Sequence, residues 1–267
     1  MKIEPLAKKD LDQLTPLQPQ GWPDIKPGLQ FYLANPFCHA VKISRHDRLM
    51  GIRAGIVFGR TAWLAHIIVD PEFRGKGLAH KIVSHLLEKL TALQCESVSL
   101  IATDMGYPIY KKAGFKKQTD YVFFKKEVPL TPYPDYPHII AFSPDYQKAV
   151  FELDQSISGE DRRLIFAGKV ESAFLYRENN QVTGIYLPDL GEGMIIAENS
   201  RAGTALLRKK YAGIDDKAVL PVDNGAGIEF LMENGFTETL RAARMIWGKP
   251  FVWQPDKIYS RIAGKLG

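Results

Sequence analysis

The sequence predicts an α/β (α+β) fold arranged as two successive domains, and three observations carry that prediction. Four prolines, Pro129, Pro132, Pro134 and Pro137, fall within nine residues, a density that defeats both helix and central strand and favours a stiff extended connector. On either side, apolar segments of strand length alternate with segments of helical period. Both halves place a helix–Gly–Phe junction before their last strand, at Gly114-Phe115 and at Gly235-Phe236. The predicted organisation is a first domain over 1–128, a connector over 129–137 and a second domain over 138–267, each of ordinary domain size.

In the first half, Ala7 to Thr15 and about Asp24 to Ala34 read as short helices separated by Gly21-Trp22-Pro23. Cys38 to Arg45 is a strand, His46-Asp47-Arg48 a polar turn, Leu49 to Phe58 a second strand, and Ala62 to Val69 a third. From Gly75 to Leu93 apolar residues recur at 78, 79, 82, 83, 86, 87, 90 and 93, the 3.6-residue period of an amphipathic helix. Ser97 to Ala102 is a strand, Met105 to Lys112 a helix ended by Gly114, and Tyr121 to Lys126 a last strand. The second half repeats this outline faintly. A hairpin spans Glu171 to Leu187, Met194 to Ala197 is a strand, and Arg201 to Tyr211 a helix. Lys217 to Pro221 is strand-like, Ala226 to Glu233 helical, and Thr239 to Trp247 a final strand.

The chemistry concentrates between the third strand and the long helix, in Val69-Asp70-Pro71-Glu72-Phe73-Arg74-Gly75-Lys76-Gly77-Leu78-Ala79. Two glycines without Cβ atoms let backbone N–H groups close on phosphate oxygens. The helix start adds unsatisfied donors and the positive end of its dipole, and Arg74 and Lys76 add formal charge. A ligand carrying a pyrophosphate suits such a cradle. The dinucleotide fingerprint is excluded, because His80 stands where its third glycine belongs, and the chain has no Gly-x-x-x-x-Gly-Lys-Ser/Thr.

These residues resemble the signature of the GNAT superfamily of acyl-CoA-dependent N-acyltransferases, Gln/Arg-x-x-Gly-x-Gly/Ala, read here as Glu72-Phe73-Arg74-Gly75-Lys76-Gly77 with Glu in the first position. The resemblance implies a mixed, mostly antiparallel sheet flanked by helices in each domain. It implies that Arg74, Gly75, Lys76, Gly77, Leu78 and Ala79 hold the pyrophosphate of coenzyme A. The backbone of Ile67, Ile68 and Val69 would pair with the pantetheine arm as an added strand. A second motif, Pro108-Ile109-Tyr110-Lys111-Lys112-Ala113-Gly114-Phe115, resembles the family's Leu-Tyr-x-x-x-Gly-Phe element. By that resemblance Tyr110 is the catalytic residue that protonates the leaving thiolate; the residues alone, without the resemblance, favour a Tyr110 that packs its helix against the sheet. The second half lacks both features: Glu198 to Thr204 carries no Arg-Gly-x-Gly, and Leu231 stands where Tyr110 does. The chain is thus similar to tandem proteins with an intact N-terminal GNAT domain and a degenerate C-terminal one.

The general base is not legible. The family's position near the start of the fourth strand falls near Trp63, which cannot act as one. His66, three residues on, is expected to face the other way and to be structural. Asp104 is a weaker alternative, and His80 and His85 read as solvated. Trp22 is either an aromatic wall for the acceptor or a buried anchor.

At 267 residues, 45% apolar and 24% charged, the chain has the composition of a globular protein. The net charge of +5 fits solubility or a phosphate-rich ligand; no run of five or six basic residues favours nucleic acid. Cys38 and Cys95 read as buried thiols, and neither His nor Cys spacing suggests a metal. The start Met1-Lys2-Ile3-Glu4-Pro5 has no apolar signal-peptide core, and no apolar run approaches the ~18 residues of a membrane span. The expectation is a cytoplasmic enzyme that transfers an acetyl group from acetyl-CoA to a primary amine, the acceptor being a small molecule. Transfer would be direct, in a ternary complex, without metal, membrane or nucleic acid. A catalytically silent acyl-CoA sensor is the alternative. Oligomeric state and acceptor identity are not encoded legibly.

Overall fold

The computed structural model describes residues 1–46, 48–127, 130, 137–213 and 215–267. The chain packs as two units, 1–117 with 245–250, and 118–244 with 251–267. Most of the proline connector expected at 129–137 lies outside the described residues. The change of unit falls earlier than the expected boundary at 128, between Lys117 and Gln118.

The first unit contains β1 (Lys2–Pro5), α1 (Lys26–Ala34), β2 (Cys38–Arg45), β3 (Arg48–Phe58), β4 (Thr61–Val69), α2 (Leu78–Ala92), β5 (Ser97–Ala102) and α3 (Tyr107–Lys112). Strands β1 to β4 pair in order and antiparallel, whereas β5 runs parallel to β4. Residues expected as a helix over 7–15 form two tight 3₁₀ turns, Lys8–Gln13 and Thr15–Leu17. Pro16 has no N–H to return to the carbonyl of Asp12, so an α-helix cannot run through. Helix α2 matches its periodicity: Leu78, Ile82, Val83, Leu86, Leu87 and Leu90 are buried, each such side chain stabilising by about 1.5–3 kcal/mol. Its first turns pack with Ile43, Met50 and Val69. This places the N-terminus of α2 beside the end of β4.

Strand β6 (Lys116–Lys125) begins at the end of the first unit and runs almost entirely in the second. There follow β7 (Ile139–Ala141), α4 (Gln147–Ser158), α5 (Arg163–Phe166), β8 (Phe174–Glu178), β9 (Gln181–Leu187), β10 (Met194–Ala197), α6 (Ser200–Tyr211), β11 (Lys217–Pro221), α7 (Gly225–Glu233), β12 (Thr237–Gly248) and β13 (Ile258–Ser260). The element order of the first unit recurs, with α5 and β13 added. Strands β7 to β10 form an antiparallel sheet. Strand β6 pairs antiparallel with β11 over Tyr121–Lys125 and meets β12 through Thr237 and Thr239, whose hydroxyls donate to the carbonyls of Lys125 and Phe123. These pairings draw the boundary back to residue 117. The last residues of β12 return to the first unit, where the N–H of Lys249 donates to the carbonyl of Glu96 at 2.9 Å.

The repeated junctions share one geometry. Gly114 and Gly235 adopt φ of +92° and +81°, and the N–H groups of Phe115 and Phe236 each return 3.0 Å to the carbonyls of Tyr110 and Leu231. That is the bond that closes a helix ending on a left-handed glycine.

Candidate active site

Strands β4 and β5 are joined only over Thr61–Trp63 and Ser97–Ser99. Beyond Trp63 the β5 side of β4 carries no ladder pairing among the described residues, while its other side stays paired with β3. Leu64 to Val69 therefore present an open strand edge that ends at Asp70. The same stretch holds a bulge. Ala65 pairs with Ala54 and Ile68 with Ile52, so His66 and Ile67 together oppose Arg53. The extra residue is accommodated at His66, whose φ is +46°. An inserted residue breaks strand alternation, so the expectation that His66 faces away from Trp63 loses its basis. The Nδ1 of His66 lies 2.6 Å from the hydroxyl of Tyr32 on α1. Arg53, fully buried on the opposing strand, donates to the carbonyl of Ile82 in α2, and burial lowers its guanidinium to about 10.

From the end of β4 the chain turns at Asp70, a residue the sequence reading passed over. Its carboxylate is 2% exposed, accepts from the N–H of Glu72 at 2.9 Å and pairs with Arg48 at 3.1 Å. Arg48 also reaches Glu72 at 2.7 Å, and these two carboxylates raise its pKa. The Asp-Pro dipeptide was the available signal, since Asp before a turn binds its own backbone two residues on. Arg74 curls back, its Nε donating to the carbonyl of Val69 at 3.1 Å, and Lys76 lies 5.6 Å from the centre of the Phe73 ring.

Gly75 and Gly77 then adopt φ of +75° and +71°, and a Cβ on either would meet nothing within 4 Å. The glycines are thus required by backbone conformation, and open space lies in front of them. Helix α2 starts directly after Gly77 with no side-chain cap, leaving its first N–H groups for an outside acceptor. Of the residues expected to hold the cofactor, Arg74, Gly75, Lys76 and Gly77 are exposed. Ile67 and Ala79 are partly buried, and Ile68 and Val69 at the end of β4 and Leu78 at the start of α2 are buried. An uncapped helix start behind two open glycines fits a pyrophosphate, and the free edge of β4 fits an extended amide chain.

Tyr110 sits on α3, the helix after β5, with its ring edge-on to Phe115 at 5.8 Å. It is partly buried, and its apolar surroundings push the phenol up to about 12. Asp104 is exposed in the turn before α3. His85 is exposed and lies 3.9 Å from Glu88. His80 departs from its expected solvation: it is partly buried, with Nδ1 shielded in the first turn of α2.

The corresponding place in the second unit is built differently. Helix α6 is capped by Asn199, whose side chain accepts from the N–H of Ala202 at 2.9 Å. The edge of β10 is occupied by β13, which pairs with it antiparallel, and the N–H of Arg261 reaches the carbonyl of Val219 in β11 at 3.1 Å. The chain's own strand thus lies between β10 and β11.

Residues 30–134 match the sequence model of the Acetyltransferase (GNAT) domain. This stretch, less than half of the chain, is similar to a GNAT domain. A solved structure from Pyrococcus horikoshii, described provisionally as an acetyltransferase, superposes with a TM-score of 0.83 at 19% identity, over 100% of this chain and 95% of that one. A GCN5-related N-acetyltransferase from Sphaerobacter thermophilus gives 0.65 at 15% identity, over 95% and 98%. One from Anabaena variabilis gives 0.58 at 14%, over 92% of this chain and 72% of that one. At these identities the likeness is one of fold. No curated protein matches the sequence. Acyl transfer is the chemistry of the GNAT family; the two open glycines, the unpaired β4 edge and Tyr110 all lie in the first unit of this chain.

Proposed function

We propose that the first unit is an N-acetyltransferase that moves an acetyl group from acetyl-CoA to a primary amine, by direct attack within a ternary complex. The observation that carries this reading is the run from the unpaired edge of β4 into an uncapped, glycine-fronted helix start, a groove for an extended amide chain ending in a phosphate cradle. Arg74, Gly75, Lys76, Gly77 and the first turn of α2 hold the pyrophosphate, and the backbone of Ile67 to Val69 runs beside the pantetheine arm. Coenzyme A supplies the activated thioester. The amine nitrogen bonds to the thioester carbon, the carbon–sulfur bond breaks with its electron pair on sulfur, the Tyr110 hydroxyl supplies the proton sulfur takes up, and the proton that the nitrogen sheds on becoming an amide returns through water to the Tyr110 oxygen. A phenol pushed up to about 12 stays protonated, and so available as a donor, throughout the physiological range. Cys38 and Cys95 are buried thiols not joined in a disulfide, which suits direct transfer and a reducing cytoplasm.

The second unit, on this reading, is a degenerate GNAT-like domain without a cofactor groove, because β13 and Asn199 take the places of ligand chain and ligand phosphate. The acceptor is a small molecule. The deciding experiment is release of free thiol from acetyl-CoA across a broad amine library. Release with at least one amine supports the enzyme; tight coenzyme A binding without release from any amine would make the protein a sensor.

A further inference from the structure

We propose that Arg48 is a positioning residue of the phosphate cradle: it holds the carboxylates of Asp70 and Glu72, and so keeps Glu72 from pairing with Lys76 and disarming the anion site. The assignment deepens the proposed acyl transfer and rests on its coenzyme A site.

The loop between β4 and α2 carries charge of the wrong sign for its task. Asp70 and Glu72 stand in it against Arg74 and Lys76, so its formal charges cancel. Glu72 is three residues before Gly75, its side chain is 68% exposed, and a carboxylate so close to a phosphate repels it. A loop that binds an anion under these conditions needs a cation from elsewhere in the fold. Arg48, at the start of β3, is that cation.

One nitrogen makes both contacts. Arg48 Nη2 donates to Glu72 Oε2 at 2.7 Å and to Asp70 Oδ2 at 3.1 Å. The other oxygen of Asp70 accepts from the N–H of Glu72 at 2.9 Å, so the two acids are fixed to one another as well as to the guanidinium. The Asp70 side chain is 3% exposed, and a carboxylate that buried is costly without a cation beside it. Arg48 therefore has a fixed place at one end of the pair, and Glu72 is drawn toward it.

The competitor for Glu72 is Lys76. Its ammonium already donates to the backbone carbonyl of Glu72 at 3.4 Å, which puts it within reach of the carboxylate of the same residue. It also lies 5.6 Å from the centre of the Phe73 ring, and the Arg48 guanidinium lies 4.9 Å from that centre. Neither a ring nor a carbonyl neutralises an ammonium, so Lys76 keeps its full charge for a phosphate while Arg48 occupies Glu72. Without Arg48 the Glu72 carboxylate would turn to Lys76, and the cradle would lose the charge of both.

The test is calorimetric titration with coenzyme A, which carries the phosphates, and with acetyl-pantetheine, which carries none. Arg48→Met should weaken coenzyme A binding about tenfold and change that of acetyl-pantetheine by less than about twofold. The gap from wild type should narrow as salt rises from about 0.1 to 1 M, where the screening length falls from about 10 to 3 Å. Glu72→Gln added to Arg48→Met should restore most of the lost affinity, which a loop that had merely lost its shape could not regain. Glu72→Gln alone leaves Arg48 to Asp70 and should bind coenzyme A at least as tightly as wild type. Wild-type affinity in Arg48→Met, an equal loss for both ligands, or a loss that Glu72→Gln fails to restore overturns the assignment and leaves acyl transfer standing. So does weaker coenzyme A binding by Glu72→Gln alone, a variant that keeps the buried Asp70 paired. Wild-type protein that binds neither ligand overturns both.

Discussion

Tyr259 lies directly on Gly203: a Cβ at residue 203 would stand 2.2–2.5 Å from three carbons of the Tyr259 ring. Strand β13 seats itself against α6 through this contact, and Lys210 and Asn224 fasten it by donating to the Ser260 hydroxyl at 2.9 Å and the Ile258 carbonyl at 3.0 Å. Because β13 already fills the space between β10 and β11, coenzyme A should bind with a stoichiometry of one per chain by calorimetric titration. Gly203→Ala should destabilise the protein by roughly 1–3 kcal/mol through overpacking while the stoichiometry stays at one. A second equivalent bound by the wild type would show that β13 does not close the groove.

The cradle makes a sharper prediction at Gly75. Its surroundings are open, so Gly75→Glu should fold, at a cost of about 1–2 kcal/mol for the left-handed backbone. It should nonetheless lose coenzyme A binding by at least 10²-fold, because a carboxylate then stands where the pyrophosphate belongs. Gly59→Glu is the matched control, with φ of +60° and equally open surroundings but on the turn between β3 and β4; it should carry the same strain and keep full affinity. Equal affinity losses in the two variants would mean that strain, not charge at the cradle, is responsible.

The parts of this molecule that local rules govern were legible in the sequence. Helix α2 followed from its apolar period, and the cradle from two glycines before a helix. The repeated ends of α3 and α7 followed from Gly114 and Gly235. What escaped notice depends on register or on distant partners. The bulge at His66 is invisible because nothing in Leu64-Ala65-His66-Ile67-Ile68 says that two residues will oppose Arg53. Strand β13 is three residues long, and its pairing with β10 joins positions some sixty residues apart. Helix α4 carries a readable spacing in Val150, Leu153 and Ile157 that the faint outline of the second half left unplaced. Asp70 had a local signal in Pro71, but its partner Arg48 comes from the far end of a hairpin.

Tyr110→Phe separates chemistry from binding. Removing the hydroxyl should lower kcat about 10²-fold with KM for acetyl-CoA unchanged, since the ring still packs edge-on to Phe115. The raised pKa, about 12, also fixes the shape of the profile: loss of the Tyr110 proton should produce no alkaline limb below about pH 11. An unchanged kcat would return Tyr110 to a packing role.

Lys210 ties the stability of the second unit to pH. Its ammonium is buried on α6, donating to the carbonyls of Glu192 and Gly193 and to Ser260, and desolvation lowers its pKa from 10.5 to about 8 against the opposing pull of Asp215 and Glu192. Between those two values the unfolded chain binds more protons at this side chain than the folded one. Stability from Lys210 therefore rises with pH through that window. Above pH 10 the effect is opposed by Tyr186, Tyr211 and Tyr259, whose burial raises their pKa values, so that the folded state there keeps protons the unfolded state releases. At about 1.4 kcal/mol per unit at most, the contribution should grow on the order of 2 kcal/mol from pH 8 to 10. The measurement is the denaturant midpoint of wild type and Lys210→Met across that range. The variant starts less stable, because two carbonyls lose their donor, and it should lack the rising component. The difference between the two proteins should widen as the pH increases. Parallel curves would mean that Lys210 keeps its ordinary pKa in the fold.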